Sequence, residues 1–342
     1  MEPNEITQDA GPRDPASISP SAYALLVMKS HTSIPYAREA AAMLSTDAPT
    51  TGASASLANT PGVPETAPMP ATALAASPGP DVDPVDYWTR VMHFESRYWS
   101  INQLLADLTA TNILEISSGF SFRGLDLSNK QPVYYIDTDL PNIITGKQRF
   151  IDAFTGPSAP AAHPTPSGPS GAGQPTSQPT GTPGHYELAP LNALDPTAFE
   201  EIVNKFPPGP LTIVNEGLLV YLDDAAKKQL AANIRKALLA RGGSWITADI
   251  YIRRKEAHRK NDAWRQWSKE HGLEEKKFES FHDAETFFEN IGFIKEKEAT
   301  QDYSRLTSFP QFLKATGPEG LDEFRRPGRP RVHATWRLTP RP

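Results

Sequence analysis

Apolar residues along this chain follow two repeating patterns, one typical of amphipathic helices and the other of buried strands. Between residues 85 and 109 the apolar side chains recur at mixed three- and four-residue steps, which predicts an amphipathic helix. The residues that set this spacing are Tyr87, Trp88, Val91, Phe94, Tyr98, Ile101, Leu104, Leu105 and Leu108. Residues 21–44 also have a helical pattern of small and apolar residues, which is interrupted near Pro35.

Short apolar runs bounded by turn residues predict the strands of a sheet. They cover residues 112–116, 133–136, 211–215, 244–250, 293–297 and 332–338. Helical patterns at residues 223–240 and 283–291 lie between them, and each is closed by a glycine. Because strands alternate with helices, the pattern predicts a doubly wound, mostly parallel α/β sheet that ends in an antiparallel pair.

Two stretches of the chain are poor in large apolar residues. Residues 46–80 are rich in Ala, Pro, Thr and Ser, and residues 155–184 contain no Leu, Ile, Val, Phe, Tyr or Trp. Neither stretch buries enough apolar surface to offset the entropy lost on ordering. The predicted organisation is a disordered tail (1–20), an N-terminal helical segment (21–44), a disordered linker (45–82) and one α/β domain (83–339) with a disordered insertion (155–184).

Composition excludes several classes of function. The chain has 342 residues, a net charge of −6 and no cysteine, so disulfide frameworks, thiolate zinc sites and cysteine nucleophiles are excluded, and we predict no metal site. No long basic run indicates a nucleic-acid partner, and no window approaches the roughly 20 apolar residues of a membrane helix. Residues 1–10 lack the basic start and apolar core of a secretory signal. We expect a soluble, cytoplasmic protein, and the sequence does not indicate its oligomeric state.

In parallel sheets, ligands bind beyond the carboxyl ends of the strands. The first such end lies in residues 112–124, where an apolar strand containing Glu115 runs into small residues and Gly119. Small residues allow a ligand to approach the backbone, and no Gly-Lys-Ser/Thr follows that would indicate a phosphate loop. The alternative interpretation is an ordinary strand and turn with a solvent-facing Glu115.

Carboxylates follow at the next strand ends. Asp137 and Asp139 lie about 20 residues after the glycine turn, a distance typical of the acid that binds a nucleoside ribose; alternatively, both cap the helix that begins near Pro141. Glu216 follows the strand at 211–215, and Asp249 closes another. These residues fit an adenosyl sulfonium, which needs an acid, a close turn and polar groups for its amino-acid end. NAD is the rival ligand, since it uses a similar turn and acid.

Four motifs at these strand ends resemble the leucine carboxyl methyltransferase family, and within it the branch of polyketide O-methyltransferases. The motifs are NILEISSGFSFRGL, YYIDTDLP, GPLTIVNEGLLVYL and GGSWITADIY, and the segment ISPSAYALLVMKSHTSIPYA is similar to the opening of that branch. The resemblance implies a class I, Rossmann-like seven-stranded sheet with its last strand antiparallel, and with helical N-terminal and lid additions. It also implies S-adenosylmethionine as cofactor, and methyl transfer to a hydroxyl or carboxylate of a small, polyketide-like acceptor.

The resemblance assigns roles to individual residues. Arg97 matches the arginine for the methionyl carboxylate, and Asn192 stands where the family often places an Asp beside the adenine. Ser117 replaces a glycine of the usual cofactor loop. The full implied set is Arg97, Glu115, Gly119, Asp137, Asp139, Asn192, Ala193 and Glu216 for the cofactor, with Tyr221 at the methyl group.

Several alternatives stay open at this point. Residues 251–281, with Trp264 and Trp267, are interpreted as a helical lid or as ordinary packing. A hydroxyl acceptor would benefit from a base, for which His258 and His282 are candidates, whereas a carboxylate needs none. The alternative functions are a methyltransferase for protein C-terminal carboxylates and a non-catalytic adenosyl-binding scaffold.

Overall fold

The six predicted strands and one further strand assemble into one seven-stranded sheet. The structure is a computed structural model, and it describes residues 19–46, 83–156, 183–253, 272–325 and 331–342. In chain order the strands are β1 (Asn112–Ile116), β2 (Tyr134–Asp139), β3 (His185–Pro190), β4 (Leu211–Asn215), β5 (Gly243–Tyr251), β6 (Phe293–Glu298) and β7 (His333–Pro340).

The strand order confirms the predicted fold class. Across the sheet the order is β3-β2-β1-β4-β5-β7-β6. The first five strands are mutually parallel, and β7 runs antiparallel to both β5 and β6. The chain therefore adds strands outward from β1 on one side of the sheet and outward from β4 on the other. The sheet is doubly wound, and its topological switch point lies between β1 and β4.

Nine helices accompany the sheet in the described part of the chain. They are α1 (Ser19–Lys29), α2 (Ala37–Thr46), α3 (Pro84–Ala106), α4 (Arg123–Lys130), α5 (Pro141–Thr155), α6 (Pro196–Val203), α7 (Asp224–Arg241), α8 (Phe281–Asn290) and α9 (Phe309–Arg325). Local sequence explains where several begin. Asp83, Asp195, Asp223 and Ser280 cap α3, α6, α7 and α8 by accepting backbone N–H hydrogen bonds.

Hydrophobic burial is greatest at the centre of the sheet. Every residue of β1 and β4 is buried, and the register places Leu114 of β1 between Ile136 of β2 and Ile213 of β4. All three belong to the main core cluster. Because these central strands are fixed by apolar contacts on their neighbours, the polar residues at their carboxyl ends are held at defined positions.

Three elements differ from the sequence prediction. β3 was not predicted, because its residues His185–Pro190 form no long apolar run and are mostly half-exposed at the sheet edge. β2 continues to Asp139, so Asp137 lies inside the strand and not beyond it. The N-terminal helical pattern forms two helices, and Tyr36 between them has a left-handed φ of 62°.

Some predictions fall outside the described residues. These are the tail and most of the linker, most of the insertion, and the part of the lid that contains Trp264, Trp267 and His258. Within the ranges that the structure does describe, no helix combines the length and the apolar character needed to cross a membrane.

Gly124 lets α4 approach β2 closely, and a side chain at this position should destabilise the fold. A Cβ there would lie 2.5 Å from Tyr135 Cδ1 and 2.7 Å from Tyr186 Cε2, and both rings are held by hydrogen bonds through their hydroxyls. We expect Gly124→Ala to lower the free energy of unfolding by about 1–3 kcal/mol through overpacking, measured by urea denaturation. Lys130→Ala, on the exposed end of the same helix, is the control and should change it by less than about 1 kcal/mol; equal stability of the two variants would contradict the close approach.

Candidate functional site

The predicted site residues come together at the carboxyl edge of the sheet, around the switch point between β1 and β4. Parallel pairing brings the ends of β1 to β5 to this one edge. The turn after β1, the end of β2, the segment after β3 and the turn after β4 therefore surround a common region.

The turn after β1 has two residues in left-handed conformations. Ser117 has a φ of 51° and Gly119 a φ of 52°; for Ser117 this costs about 1 kcal/mol that a glycine would not incur. The Ser118 N–H donates to Thr138 O at 3.0 Å, which ties the turn to β2. A Cβ on Gly119 would meet no atom within 4 Å, so the backbone at Gly119 borders open space.

Asp139 lies at the end of β2 and faces this turn. Its Oδ2 accepts from Gly119 N at 2.7 Å and its Oδ1 accepts from Leu140 N at 2.7 Å. Burial raises the pKa of Asp139, against these two hydrogen bonds that favour the ionised form. Each carboxylate oxygen has a further acceptor position, so Asp139 is able to bind hydroxyl groups without losing its present contacts.

The segment after β3 lies beside Asp139. Leu191 N donates to Asp139 O at 2.8 Å, which places Asn192 and Ala193 next to the end of β2. Asn192 is exposed and its Oδ1 accepts from Leu194 N at 3.1 Å, whereas Ala193 is buried. The predicted adenine residues are thus adjacent to the predicted ribose acid.

Asp137 lies beneath the turn and is fully buried. Its Oδ2 contacts Lys147 Nζ at 2.8 Å and accepts from the Tyr186 hydroxyl at 2.6 Å. Lys147 also donates to Ser118 Oγ at 2.9 Å, so this pair supports the turn from below. Burial raises the pKa of Asp137 to about 6, although Lys147 opposes the shift.

Glu216, directly after β4, is surrounded by three cations. Its Oε1 lies 2.9 Å from Lys29 Nζ and 3.5 Å from an Arg97 terminal nitrogen, and its Oε2 lies 3.0 Å from a terminal nitrogen of Arg123. The Glu216 side chain is 5% exposed. Burial alone would raise the pKa of Glu216, but the three cations together hold it well below its usual range. We call these four residues the Glu216 cluster.

Arg123 connects the cluster to Glu115. Both side chains are fully buried, and they form an ion pair of 2.5 Å. The other oxygen of Glu115 accepts from the Tyr135 hydroxyl at 2.5 Å, and Arg123 Nε donates to Asn102 at 2.9 Å. The solvent-facing alternative for Glu115 is wrong, because β1 is buried along its whole length and the Glu115 carboxylate contacts Arg123 and Tyr135.

The turn after β4 is fixed by Asp249 of β5. The Asp249 carboxylate accepts from the backbone N–H groups of Gly217, Leu218 and Leu219, and from the Asn215 side chain, at 2.6 to 3.0 Å. Gly217 has a φ of 86°, and a Cβ there would lie 2.9 Å from Arg97. Asp249, which the sequence marked only as a strand-end acid, thus shapes the turn that carries Glu216.

Tyr221 lies in the segment that follows β4, whereas His282 lies on α8. Tyr221 is half-buried at the end of the short 3-10 helix Leu219–Tyr221, and its carbonyl accepts from Lys276 Nζ at 2.8 Å. His282 is exposed in the first turn of α8, which packs against the edge strand β6. The position of His282 gives no support to a role as base at this site.

Sequence reasoning missed Lys29 and Arg123. Lys29 lies 187 residues from Glu216 along the chain, so no local spacing connects them. Arg123 begins α4 within an otherwise buried segment; a charged residue between apolar neighbours was the available signal.

Comparisons with known proteins do not identify a family. No protein-family model matches the chain, and no curated protein matches it. Among solved structures it is similar to LepI in complex with SAM, at 14% identity and a TM-score of 0.38, over 72% of this chain and 46% of that one. It is also similar to the pyocyanin biosynthetic protein PhzM, at 9% identity and a TM-score of 0.40, over 75% and 58%.

Magnesium protoporphyrin IX methyltransferase (ChlM) from Synechocystis PCC 6803, with bound SAH, is similar at 10% identity and a TM-score of 0.38, over 77% of this chain and 90% of that one. The chain spans less than half the length of the LepI structures that it matches. Similarity this low assigns neither a family nor an activity, and the resemblance to the leucine carboxyl methyltransferase family stays a prediction.

Removing Arg123 should destabilise the fold strongly, because Glu115 and Glu216 would both lose a buried cation. We expect Arg123→Met to lower the free energy of unfolding by about 3–5 kcal/mol, measured by urea denaturation. The control is Lys236→Met, which breaks an ion pair to Glu200 whose side chains are 68% and 54% exposed, and should cost at most about 1 kcal/mol. Similar losses in both variants would show that the buried network contributes little.

Asp137 should make the fold more stable in mild acid. With a folded pKa of about 6 and an ordinary value of 3.8, the folded chain binds more protons than the unfolded chain between these pH values. Its contribution is therefore fully present below pH 3.8 and is lost as the pH rises through about 6. Relative to Asp137→Asn, the wild type should lose on the order of 2 kcal/mol of unfolding free energy between pH 4 and pH 6.5. Parallel pH profiles of the two proteins would contradict this.

Proposed function

We propose that this chain binds S-adenosylmethionine at the carboxyl edge of the sheet and transfers its methyl group to an oxygen of a small molecule. The observation that carries the proposal is the Glu216 cluster, an ionised carboxylate beside cations, at one end of a region whose other end is formed by Asp139 and the open turn at Gly119. The residues fit the cofactor at each of its parts.

The methionyl end of the cofactor carries an ammonium and a carboxylate. Glu216 is the acceptor for the ammonium, and Arg97 and Lys29 are the donors for the carboxylate. Arg97 Nε is buried and has no hydrogen-bond partner among the described residues; buried donors are normally satisfied, so this nitrogen supports a ligand at the cluster.

The adenosine end fits the segment from Asp139 to Ala193. Asp139 has the acceptor positions for the two ribose hydroxyls, and the open space at the Cβ position of Gly119 gives the ligand room against the backbone. Asn192 supplies a neutral amide for the adenine edge, and Ala193 supplies a small apolar surface.

Glu115 and Asp137 act through other residues in this proposal. Glu115 holds Arg123, which in turn holds Glu216. Asp137 holds Lys147 under the turn at Ser118. Both were predicted as cofactor residues from the sequence, and we propose that they position the residues that make the contacts.

The charge distribution favours a sulfonium over NAD. NAD carries a diphosphate with two negative charges and no ammonium group, so it gives Glu216 no new partner in exchange for the donors Arg97 and Lys29. Here Arg123 and Lys147 are paired with Glu115 and Asp137, and Asp139 and Glu216 add negative charge on either side of the turn. A ligand with a positive sulfur suits this arrangement better than one with two phosphates.

The bound cofactor supplies an electrophilic methyl group: the new C–O bond forms as the C–S bond breaks, and its electron pair passes to sulfur. The residues of the chain align the acceptor oxygen with that methyl and exclude water. Tyr221, five residues after Glu216, is proposed to line the methyl end. A hydroxyl acceptor also releases its proton to solvent, whereas a carboxylate acceptor has none to lose.

Titration calorimetry tests the cofactor. We expect the wild type to bind S-adenosylhomocysteine and S-adenosylmethionine. Glu216→Gln removes the charge that faces the ammonium, and Asp139→Asn removes the charge that accepts from the ribose hydroxyls, so each should weaken this binding at least about 10-fold, or about 1.4 kcal/mol. Glu200→Gln, an exposed carboxylate on α6, is the matched control and should leave the affinity unchanged.

Binding of NAD without binding of either sulfur compound would refute the proposal. The acceptor class is tested by methyl-transfer assays on polyketide phenols, small carboxylic acids and peptides with free C-termini. Transfer to peptides alone would favour a protein carboxyl methyltransferase, and tight cofactor binding with no transfer to any of them would favour a scaffold.

A further inference from the structure

A second polar group, formed by His93, Tyr251 and His333, adjoins the Glu216 cluster. Tyr251 is the last residue of β5 and pairs with His333, the first residue of β7, so both lie at the carboxyl edge of the sheet. His93 lies on α3, four residues before Arg97. The His93 and His333 rings are 4.9 Å apart, centre to centre, and neither histidine was a candidate from the sequence.

The direction of the hydrogen bonds in this group is fixed by Arg97. Arg97 only donates, and its terminal nitrogen lies 2.9 Å from the Tyr251 hydroxyl. The same hydroxyl lies 2.8 Å from His93 Nε2, and among the described residues this nitrogen is the acceptor available for the single hydroxyl proton. The arrangement in which the hydroxyl proton has an acceptor makes His93 Nε2 the acceptor and leaves the ring proton of His93 on Nδ1.

Both histidines are neutral, but among the described residues only His333 has hydrogen-bond partners for both of its ring nitrogens. Burial lowers the pKa of His93 well below its ordinary value, and His333 and Arg97 lower it further; burial also lowers the pKa of His333 to about 3. His333 Nε2 lies 2.7 Å from Ala248 O and its Nδ1 lies 3.2 Å from Gln301 Nε2, so both its nitrogens are satisfied. His93 is partly exposed. Its Nδ1–H takes no part in the hydrogen bonds that connect Arg97, Tyr251 and His93.

We propose that His93 Nδ1–H is a hydrogen-bond donor to the methyl acceptor, and that it selects acceptors with a carbonyl or carboxylate oxygen next to the reacting oxygen. This inference rests on the proposed function, because it places the acceptor beside the methionyl end at Arg97. A neutral donor suits the neighbouring oxygen better than the attacking oxygen, whose lone pair must remain available to the methyl group. His93 is in this sense a residue that positions the acceptor, and the Arg97–Tyr251 chain fixes its tautomer.

Nitrogen NMR tests the tautomer without any acceptor. In the full-length protein labelled with ¹⁵N-histidine, long-range ¹H–¹⁵N correlations should give one histidine at pH 7 with a protonated Nδ1 and an unprotonated Nε2. Its signals should disappear in His93→Gln, and Tyr251→Phe should remove the fixed tautomer. A protonated Nε2 or an imidazolium at His93 would overturn the inference.

Salicylate, a phenol beside a carboxylate, tests the acceptor contact. With the protein saturated with S-adenosylhomocysteine, calorimetry should detect salicylate binding. His93→Gln, whose amide reaches the Nε2 position but not Nδ1, should weaken it at least about 10-fold. His93→Asn carries its amide at the Nδ1 position and should restore most of the affinity. His282→Gln, at an exposed histidine, is the control and should have no effect.

The two proposals fail in different ways. No binding of S-adenosylhomocysteine by the wild type would refute the proposed function, while the NMR result would still decide the tautomer. Normal S-adenosylhomocysteine binding with unchanged salicylate affinity in His93→Gln, or with no salicylate binding by the wild type, would overturn the role of His93 alone. Loss of S-adenosylhomocysteine affinity in His93→Gln and His93→Asn alike would indicate a structural role.

Discussion

The ion pairs of Glu216 are the interaction on which the rest of the site depends. Lys29, Arg97 and Arg123 come from three helices, α1, α3 and α4, and meet at one carboxylate after β4. Moving such charges out of water is costly, and the attraction between them offsets this only if the geometry is good. Lys29 and Arg123 donate to the two carboxylate oxygens at 2.9 and 3.0 Å, and the three cations together connect the N-terminal helix to the switch point of the sheet.

Ion pairs in a protein interior are weak evidence for stability, since apolar residues of the same volume often stabilise a fold as well. What an apolar core does not supply is a fixed charge at a chosen position. Glu216 is ionised, and its turn is set by Asp249 and Gly217. Buried charges that are this well positioned are typical of sites that recognise a charged ligand, and this is the physical link between the fold and the proposed function.

The sheet was largely predictable from sequence because apolar periodicity reports burial directly. β1, β4 and the helix α7 coincide with predicted segments to within one or two residues. β3 was missed because an edge strand after a polar insertion has little apolar signal. The positions of Asp139 and Glu216 at strand ends followed from the pattern. Lys29, Arg123 and His93 did not, because each acts through contacts that only the folded chain creates.

Glu115 illustrates why residue type and position do not give a residue's role. Its location at the end of β1 suggested a ligand contact, yet its carboxylate is occupied by Arg123 and Tyr135.

The pairing of Glu115 with Arg123 changes the net charge around Glu216. Because Arg123 divides its charge between Glu115 and Glu216, it neutralises Glu216 only in part, and Arg97 and Lys29 neutralise the remainder. A single carboxylate between three unshared cations would leave a strongly positive site suited to phosphates. Glu115 and the Glu216 cluster together hold three cations and two anions, and this near balance suits a zwitterion, such as the methionyl group of the proposed cofactor.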